Sequence, residues 1–211
     1  MKLLLTSAGI RNKRIADALS SLLPKPIHES KVGFIPTAAN VEAGNKDWFI
    51  EEFMHLPMSG FRWIDVVDIS AADVEWKDRL AEVDLVVVSG GNTFHVLNQV
   101  RKSGFGEWLK ENSNQKVYVG ISAGSIIVTP NIAVASVDDG DVNLSGLTDF
   151  TGLGLVDFEV SPHTPENVIH DANRHYAKTI SNVLYEIDNE TAIKVLDQSV
   201  ELITERQWIK Y

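Results

Sequence analysis

Ser122 lies at the centre of a Gly-x-Ser-x-Gly pattern that runs from Gly120 to Gly124 and directly follows the apolar stretch Val117 to Val119. In hydrolases this pattern forms the nucleophile elbow, a tight turn between a strand and a helix that exposes the serine hydroxyl. The flanking glycines matter because neighbouring backbone approaches such a turn closely. The pattern and its context predict a nucleophilic serine at position 122, and a glycine-rich turn with an incidental serine is the alternative.

A serine hydroxyl is a weak nucleophile unless a neighbouring base takes its proton, and histidine is the usual base. Of the six histidines, His163 has the most suggestive position. It follows the strand-like run Phe158 to Val160, within the loop Ser161 to Pro165. A parallel sheet places site residues at strand carboxyl ends, so His163 is the predicted base, with an ordinary loop histidine as the alternative. His170 and His175 are five residues apart and do not share a helix face as a metal pair would.

A second glycine-rich turn contains Gly90 and Gly91 and precedes a helical stretch. Backbone N–H groups in such a turn can point at a developing oxyanion, with the N–H of Ala123 as a second donor. A simple turn between strand and helix, capped by Asn92 or Thr93, is the alternative, and composition does not choose between the two.

The elements that must position these residues are read from the hydrophobic pattern. Short apolar runs alternate with amphipathic stretches over the first two-thirds of the chain, which is typical of βα units around a parallel sheet. After Pro130 the period shortens towards two, which predicts a β-hairpin or arm. We therefore predict a single α/β domain over residues 1–211, a three-layer sandwich with a largely parallel central sheet. The predicted strands are Leu3–Thr6, Lys31–Ile35, Phe61–Val67, Leu85–Val88, Val117–Val119, Ala192–Leu196 and Ser199–Thr204. The predicted helices lie around Ile15–Leu22, Lys46–Met58, Asp73–Ala81, Val96–Leu109 and Glu166–Ser181.

Composition excludes several classes of function. The chain has 211 residues, 19 Lys plus Arg, 29 Asp plus Glu and a formal net charge of −10, so the basic surface of a nucleic-acid binder is absent. It has no cysteine, which rules out disulfides and thiolate chemistry. No apolar run is long enough for a signal-peptide core or a membrane span. We expect a cytoplasmic protein with no nucleic-acid or membrane partner.

Three motifs in this order resemble the peptidase E family, the α-aspartyl dipeptidases related to cyanophycinase: Gly90 to Thr93, Gly120 to Gly124, and the pair Pro162-His163. The resemblance implies a fold like that of class I glutamine amidotransferases, with serine in place of the amidotransferase cysteine. It also implies a serine peptidase that cleaves dipeptides with an N-terminal aspartate through an acyl-enzyme. Neither a metal nor an organic cofactor is implied, and the implied partner is a short peptide.

The resemblance also implies roles for individual residues. Ser122 matches the nucleophile and His163 the general base, while Gly91 and Ala123 match the oxyanion donors. The family draws its acid from the stretch between serine and histidine, where Asp138 is the nearest match. The alternatives for this acid are Asp139, Asp141 and Glu190.

Substrate binding is assigned to Asn92 and Thr93 in the first motif and to Arg174. Arg174 matches an arginine-bearing helix of the family, and arginine is the natural partner of the carboxylate of an N-terminal aspartate. An exposed helix arginine is the alternative.

Two other functions are retained. An esterase of the α/β-hydrolase type shares the Gly-x-Ser-x-Gly pattern, although the His-Gly-Gly-Gly oxyanion motif is missing here. A catalytically silent member that binds a small acidic ligand or a protein partner is the third reading. Whether the chain forms a homodimer is left open.

Overall fold

The structure is a computed structural model that describes residues 1–137, 140–164, 169–204 and 208–211. It contains ten strands and seven α-helices within those residues. In chain order they are β1 Lys2–Thr6, α1 Lys13–Leu22, β2 Lys31–Ile35, α2 Asp47–Met58, β3 Trp63–Val66, α3 Trp76–Ala81, β4 Leu85–Val88, α4 Thr93–Ser103, α5 Phe105–Asn112, β5 Val117–Ile121, α6 Ala123–Ile126, β6 Phe158–Ser161, α7 Ile169–Ala177, β7 Val183–Ile187, β8 Ala192–Leu196, β9 Ser199–Ile203 and β10 Trp208–Lys210.

The central sheet has seven strands in the order β3-β2-β4-β5-β1-β8-β9. The first five of these are parallel to one another, and β8 and β9 continue the sheet in antiparallel fashion. A second sheet of three strands has the order β10-β7-β6, in which β6 and β7 are parallel. The predicted α/β fold with a largely parallel central sheet is confirmed, whereas the small second sheet was not predicted.

Apolar side chains cover both faces of the central sheet. Along β1, Leu3 and Leu5 belong to one buried cluster and Leu4 to the other, as the alternation of side chains along a strand requires. Helices α1 and α2 contribute to the Leu4 cluster, and helices α3, α4 and α5 contribute to the opposite one. A strand buried on both sides must be apolar throughout, which is why β4 reads Leu-Val-Val-Val and is fully buried.

The prediction of a β-hairpin or arm after Pro130 is wrong for the described residues of that segment. They form a 3₁₀ turn, Ala133–Ser136, and one isolated bridge between Asn131 and Thr151. The segment is held by backbone hydrogen bonds outside any strand ladder: the N–H of Ile132 donates to the carbonyl of Phe150 at 2.9 Å, and that of Asp141 to the carbonyl of Ala135 at 2.7 Å.

The last predicted helix, about Glu166–Ser181, is observed as α7, Ile169–Ala177, and residues 165–168 lie outside the described part of the chain. Among the described residues, no helix combines the length and apolarity that crossing a membrane would require.

The topology brings several loops to one place. Strands β1, β4 and β5 are parallel neighbours in the central sheet, so the residues that follow them lie at the same edge. Strands β6 and β7 of the second sheet are also parallel neighbours, and their carboxyl ends lie together in the same way. The candidate site is built from these five strand ends.

Candidate active site

Ser122 follows β5 directly and has φ 49° and ψ −109°, a conformation that non-glycine residues rarely adopt. The glycines on either side explain how the backbone can turn there. A Cβ on Gly120 would lie 2.6 Å from the backbone of Gly124, and a Cβ on Gly124 would lie 2.3 Å from the carbonyl oxygen of Val88. The Ser122 N–H also donates to the carbonyl of Thr6 in β1 at 2.9 Å, which ties the turn to the neighbouring strand.

The hydroxyl of Ser122 meets the imidazole of His163: Oγ and Nε2 are 2.9 Å apart. His163 lies two residues beyond β6 and has φ 57°, so its backbone is also in the left-handed region. The N–H of His163 donates to Oγ of Ser7 at 2.6 Å, which holds this unusual backbone in place. The structure thus brings together the two residues that the sequence predicts as nucleophile and base.

Behind the imidazole lies an amide and not a carboxylate. Oδ1 of Asn189, two residues beyond β7, is 2.8 Å from Nδ1 of His163. Oδ1 can only accept a hydrogen bond, so Nδ1 carries the proton and Nε2 is free to accept the proton of Ser122. The Ser7 hydroxyl donates to the same Oδ1 at 2.8 Å and lies 3.2 Å from Nδ1. Ser7 therefore fixes both the histidine backbone and the orientation of the amide.

The pKa of His163 is lowered from its ordinary value because burial disfavours the charged imidazolium. The hydrogen bond to Asn189 and the negative charge of Asp141 act in the opposite direction without overcoming the effect of burial. At neutral pH the imidazole is therefore mainly in the neutral form that a general base needs.

The predicted acid, Asp138, lies outside the described residues, as does its alternative Asp139. Asp141 is described and lies in the wall of the site, but its Oδ2 accepts the backbone N–H of Thr93 at 2.6 Å. Its contribution to the histidine is therefore one of charge.

Glu190, the remaining alternative, bonds Nδ2 of Asn12 at 3.1 Å and approaches Arg11 at 3.4 Å. Its neighbour in the chain, Asn189, contacts the imidazole in its place. All the residues predicted for this position are acids, and Asn189 is not among them, although an amide oxygen can accept the same hydrogen bond.

Gly91 has φ 126°, and a Cβ there would lie 2.4 Å from the carbonyl carbon and oxygen of Ala38. A side chain is excluded, and the turn after β4 is pressed against the 3₁₀ turn Thr37–Val41. Ala123 is the first residue of α6, a position whose N–H has no acceptor within the helix. Gly91 lines the same cavity as Ser122, and Ala123 directly follows that serine, so the pair of oxyanion donors stays a prediction.

Asn92 and Thr93 are placed by the structure at the start of α4. Asn92 is 2% exposed, its Oδ1 accepts the N–H of His95 at 2.9 Å and its Nδ2 donates to the carbonyl of Val142. Asn92 is thus the N-cap of the helix, and its placement gives the predicted substrate contact no support. Thr93 is 1% exposed and lines the smaller of the two cavities beside Ser122.

Two cavities adjoin the Ser122–His163 pair. The larger has a volume of about 470 Å³ and is rich in charged groups, and the smaller has about 170 Å³ and is lined mainly by apolar and small residues. Ser122, His163 and Asp141 line both. The remaining residues of the larger cavity are Ala8, Arg11, Glu42, Trp48, Glu51, Glu52, His55, Gly90, Gly91 and Asn189.

Arg174 does not line either cavity. It lies on α7 with its side chain 55% exposed and pairs with Asp171 on the same helix at 2.9 Å. Arg11 lines the larger cavity instead, where its guanidinium contacts Glu51 at 2.8 Å and Glu190 at 3.4 Å. The arginine near the serine therefore comes from the loop after β1, which nothing in its local sequence pattern indicated.

Helix α2 contributes Trp48, Glu52 and His55 to the larger cavity. The aromatic and aliphatic stripe of α2 packs into the Leu4 cluster, and Glu52 within it is 7% exposed. A glutamate within an otherwise aromatic and aliphatic stripe was the available signal that this face does more than pack. The pKa of His55 is lowered, mainly by burial and also by the charge of Arg11.

Comparison with known proteins is consistent with this geometry. The family model described as peptidase family S51 matches residues 3–203. An uncharacterised peptidase of Pasteurella multocida is 33% identical over 177 residues, which cover 82% of this chain and 84% of that protein. A protein of Nostoc sp. named peptidase E is 28% identical over 136 residues, 60% of this chain and 54% of that one. The crystal structure of a Listeria monocytogenes protein described as a candidate peptidase E superposes with a TM-score of 0.80 at 27% identity, covering 95% of this chain and 96% of that one.

Proposed function

The chain belongs to peptidase family S51, the peptidase E family, and is therefore a peptidase; from this premise we propose that it is a serine exopeptidase that hydrolyses short peptides through an acyl-enzyme. The single observation that carries the mechanism is the 2.9 Å contact between Oγ of Ser122 and Nε2 of an imidazole whose Nδ1 is held by Asn189.

In the first half of the reaction, Oγ of Ser122 attacks the carbonyl carbon of the scissile peptide and its proton passes to Nε2 of His163. The carbonyl oxygen becomes an oxyanion, which the N–H groups of Gly91 and Ala123 stabilise. His163 then gives the proton to the leaving nitrogen, the C–N bond breaks, and the acyl group stays on Ser122 as an ester. In the second half, water loses its proton to His163 and attacks this ester, and the proton returns to Ser122 as the acid leaves.

Asn189 is the orienting residue in this scheme. It sets the tautomer and the position of the ring, as the carboxylate of a Ser-His-Asp triad does, but it contributes no charge. The negative charge that stabilises the imidazolium comes from Asp141, which shifts the pKa of His163 in that direction. The two roles of the usual acid are thus divided between two residues.

We propose dipeptides as substrates because the serine lines two separate cavities of limited volume, and we assign one residue of such a peptide to each. A preference for an N-terminal aspartate requires a cation near the bound side chain. Arg11 is the one basic side chain, arginine or lysine, among the described residues that line the larger cavity. We therefore assign this role to Arg11 in place of Arg174. An aspartate side chain would compete with Glu51 and Glu190 for its guanidinium.

The test is hydrolysis of a dipeptide panel with a varied first residue by the wild-type protein and by Ser122→Ala, together with labelling by a fluorophosphonate. We expect Ser122-dependent labelling and a loss of several orders of magnitude in turnover in the variant. Unchanged hydrolysis by Ser122→Ala would contradict the mechanism. Turnover of acyl esters without any of dipeptides would favour an esterase, and a folded protein that is not labelled would favour a silent member.

A further inference from the structure

A buried carboxyl group lies directly behind the glycine turn of the site. Glu52 on α2 is 7% exposed, and its Oε2 accepts the backbone N–H of Gly90 at 3.1 Å. A Cβ placed on Gly90 would lie 2.8 Å from Oε1 of Glu52 and 3.3 Å from Cβ of Ser122. The carboxyl group and the nucleophile thus pack against the same residue, and Glu52 lines the same cavity as Ser122.

The hydrogen bond between Glu52 and Gly90 affects the orientation of the next backbone amide, the N–H of Gly91. Gly91 is blocked on one side by the backbone of Ala38, and the N–H of Asn92 donates to the carbonyl of Ala38 at 2.9 Å. Gly90, on the other side, has its own N–H bound to Glu52. Two glycines in sequence have wide conformational freedom, so these anchors fix the direction in which the Gly91 N–H points. An oxyanion donor is effective only when its direction is fixed before the reaction.

The charge state of Glu52 matters because an oxyanion forms nearby. Burial raises its pKa from 4.5 to about 8, the charge of Glu51 on the same helix acts in the same direction, and the hydrogen bond from Gly90 opposes the rise. At neutral pH the group is therefore mainly a neutral acid. The other titratable groups in the cavity walls are Arg11, Glu42, His55, Asp141 and His163.

We propose that Glu52 is a positioning residue: its carboxyl group holds the Gly90 amide and thereby orients the Gly91 N–H towards the oxyanion. The proposal rests on the serine-peptidase function proposed above. Its consequence is that a negative charge on Glu52 opposes the negative charge of the oxyanion, so that hydrolysis declines when Glu52 loses its proton. A buried acid that only packed would leave the alkaline side of the pH profile unaffected.

The experiment measures kcat and KM from pH 5 to 10 for the wild type, Glu52→Gln and Glu52→Ala. Asp17→Asn, an exposed acid that pairs with Lys13 on α1, is the matched control. We expect the wild-type kcat to fall about tenfold between pH 7 and pH 9, as a single ionisation near pH 8 dictates. Glutamine keeps the acceptor for Gly90 and cannot ionise, so this variant should retain activity at pH 7 and lose the alkaline decline. Alanine should lower kcat at least tenfold with little change in KM.

Two results would overturn the proposal: an alkaline decline in Glu52→Gln equal to that of the wild type, or a wild-type kcat in Glu52→Ala. Thermal unfolding of each variant checks that it is folded. The rate of fluorophosphonate labelling at Ser122 compares the wild type with the two Glu52 variants without peptide turnover. Absence of labelling in the folded wild type would overturn both proposals. Hydrolysis that depends on Ser122 but not on Glu52 would overturn this one alone.

Discussion

Oδ1 of Asn189 lies 2.8 Å from Nδ1 of His163, so a neutral amide holds the imidazole that faces Ser122. A carboxylate in that position would orient the ring and also stabilise its positive charge. The amide orients the ring, and its hydrogen bond favours the charged imidazole, but burial has the larger effect and holds the pKa of His163 below its ordinary value. Asn189 therefore sets the orientation of the ring, whereas burial is the main influence on its pKa.

Asn189→Asp should raise the pKa of His163, because a carboxylate favours the imidazolium. The base acts only when neutral, so the acid limb of the profile of kcat/KM against pH should move to higher pH. Asn189→Leu removes the acceptor and should lower kcat by about 100-fold or more, since the proton on Nδ1 is no longer held there. Rate profiles from pH 4 to 9 measure both effects. An acid limb that stays in place in Asn189→Asp would show that Asn189 does not act on the imidazole.

Gly91→Ala should lower kcat even in the protein that folds. The new Cβ would lie 2.4 Å from the backbone of Ala38 and would displace the N–H of residue 91. Loss of one oxyanion donor costs roughly 100- to 1,000-fold in kcat. Gly44→Ala is the control, since Gly44 also has a positive φ, 88°, but no atom within 4 Å of its Cβ position. It should lose about 1–2 kcal/mol of stability and keep its kcat. A wild-type kcat in Gly91→Ala would remove this residue from the oxyanion site.

Glu52 should make the folded state less stable as the pH rises. The unfolded chain releases this proton near pH 4.5 and the folded protein holds it to about pH 8, so the folded state binds more protons between those values and stability falls across that range. The full loss is roughly 4–5 kcal/mol at 1.36 kcal/mol for each pH unit. Glu52→Gln should therefore gain stability relative to the wild type between pH 5 and pH 9. Urea unfolding at pH 5 and at pH 9 measures the free energy of unfolding of both proteins. If the variant and the wild type differ by the same amount at both pH values, the raised pKa of Glu52 is contradicted.

Arg11→Gln should reduce the preference for Asp-Leu over Leu-Leu, whereas Arg174→Gln should leave it unchanged. Arg11 lines the larger cavity, and Arg174 pairs with Asp171 on an exposed helix. A hydrogen bond to a charged group is worth about 1.5–3 kcal/mol, so the ratio of kcat/KM values should fall roughly 10- to 100-fold. The opposite pattern, with the preference lost in Arg174→Gln alone, would restore Arg174 as the substrate-binding arginine.

The turn at Ser122 was predictable because its requirements are local. Glycine is needed at positions 120 and 124 since backbone atoms approach within 2.6 Å and 2.3 Å of where a side chain would begin. The apolar run of β5 in front of it marks a strand that is buried on both faces. The same reasoning predicted the other buried strands, and it failed after Pro130, where the described chain is held by contacts to other segments.

The sequence predicted Ser122 as the nucleophile, His163 as the base and a largely parallel central sheet. Each of these predictions depends on residues close by in the chain or on the alternation of apolar runs. The tertiary structure alone decided which group stands behind the imidazole and which arginine reaches the cavity. Asn189 is 26 residues from His163 along the chain and meets it because β6 and β7 lie side by side in a second sheet, while Arg11 enters from the loop after β1. Such contacts depend on how strand ends converge in space, which the chemical pattern of any single segment does not encode.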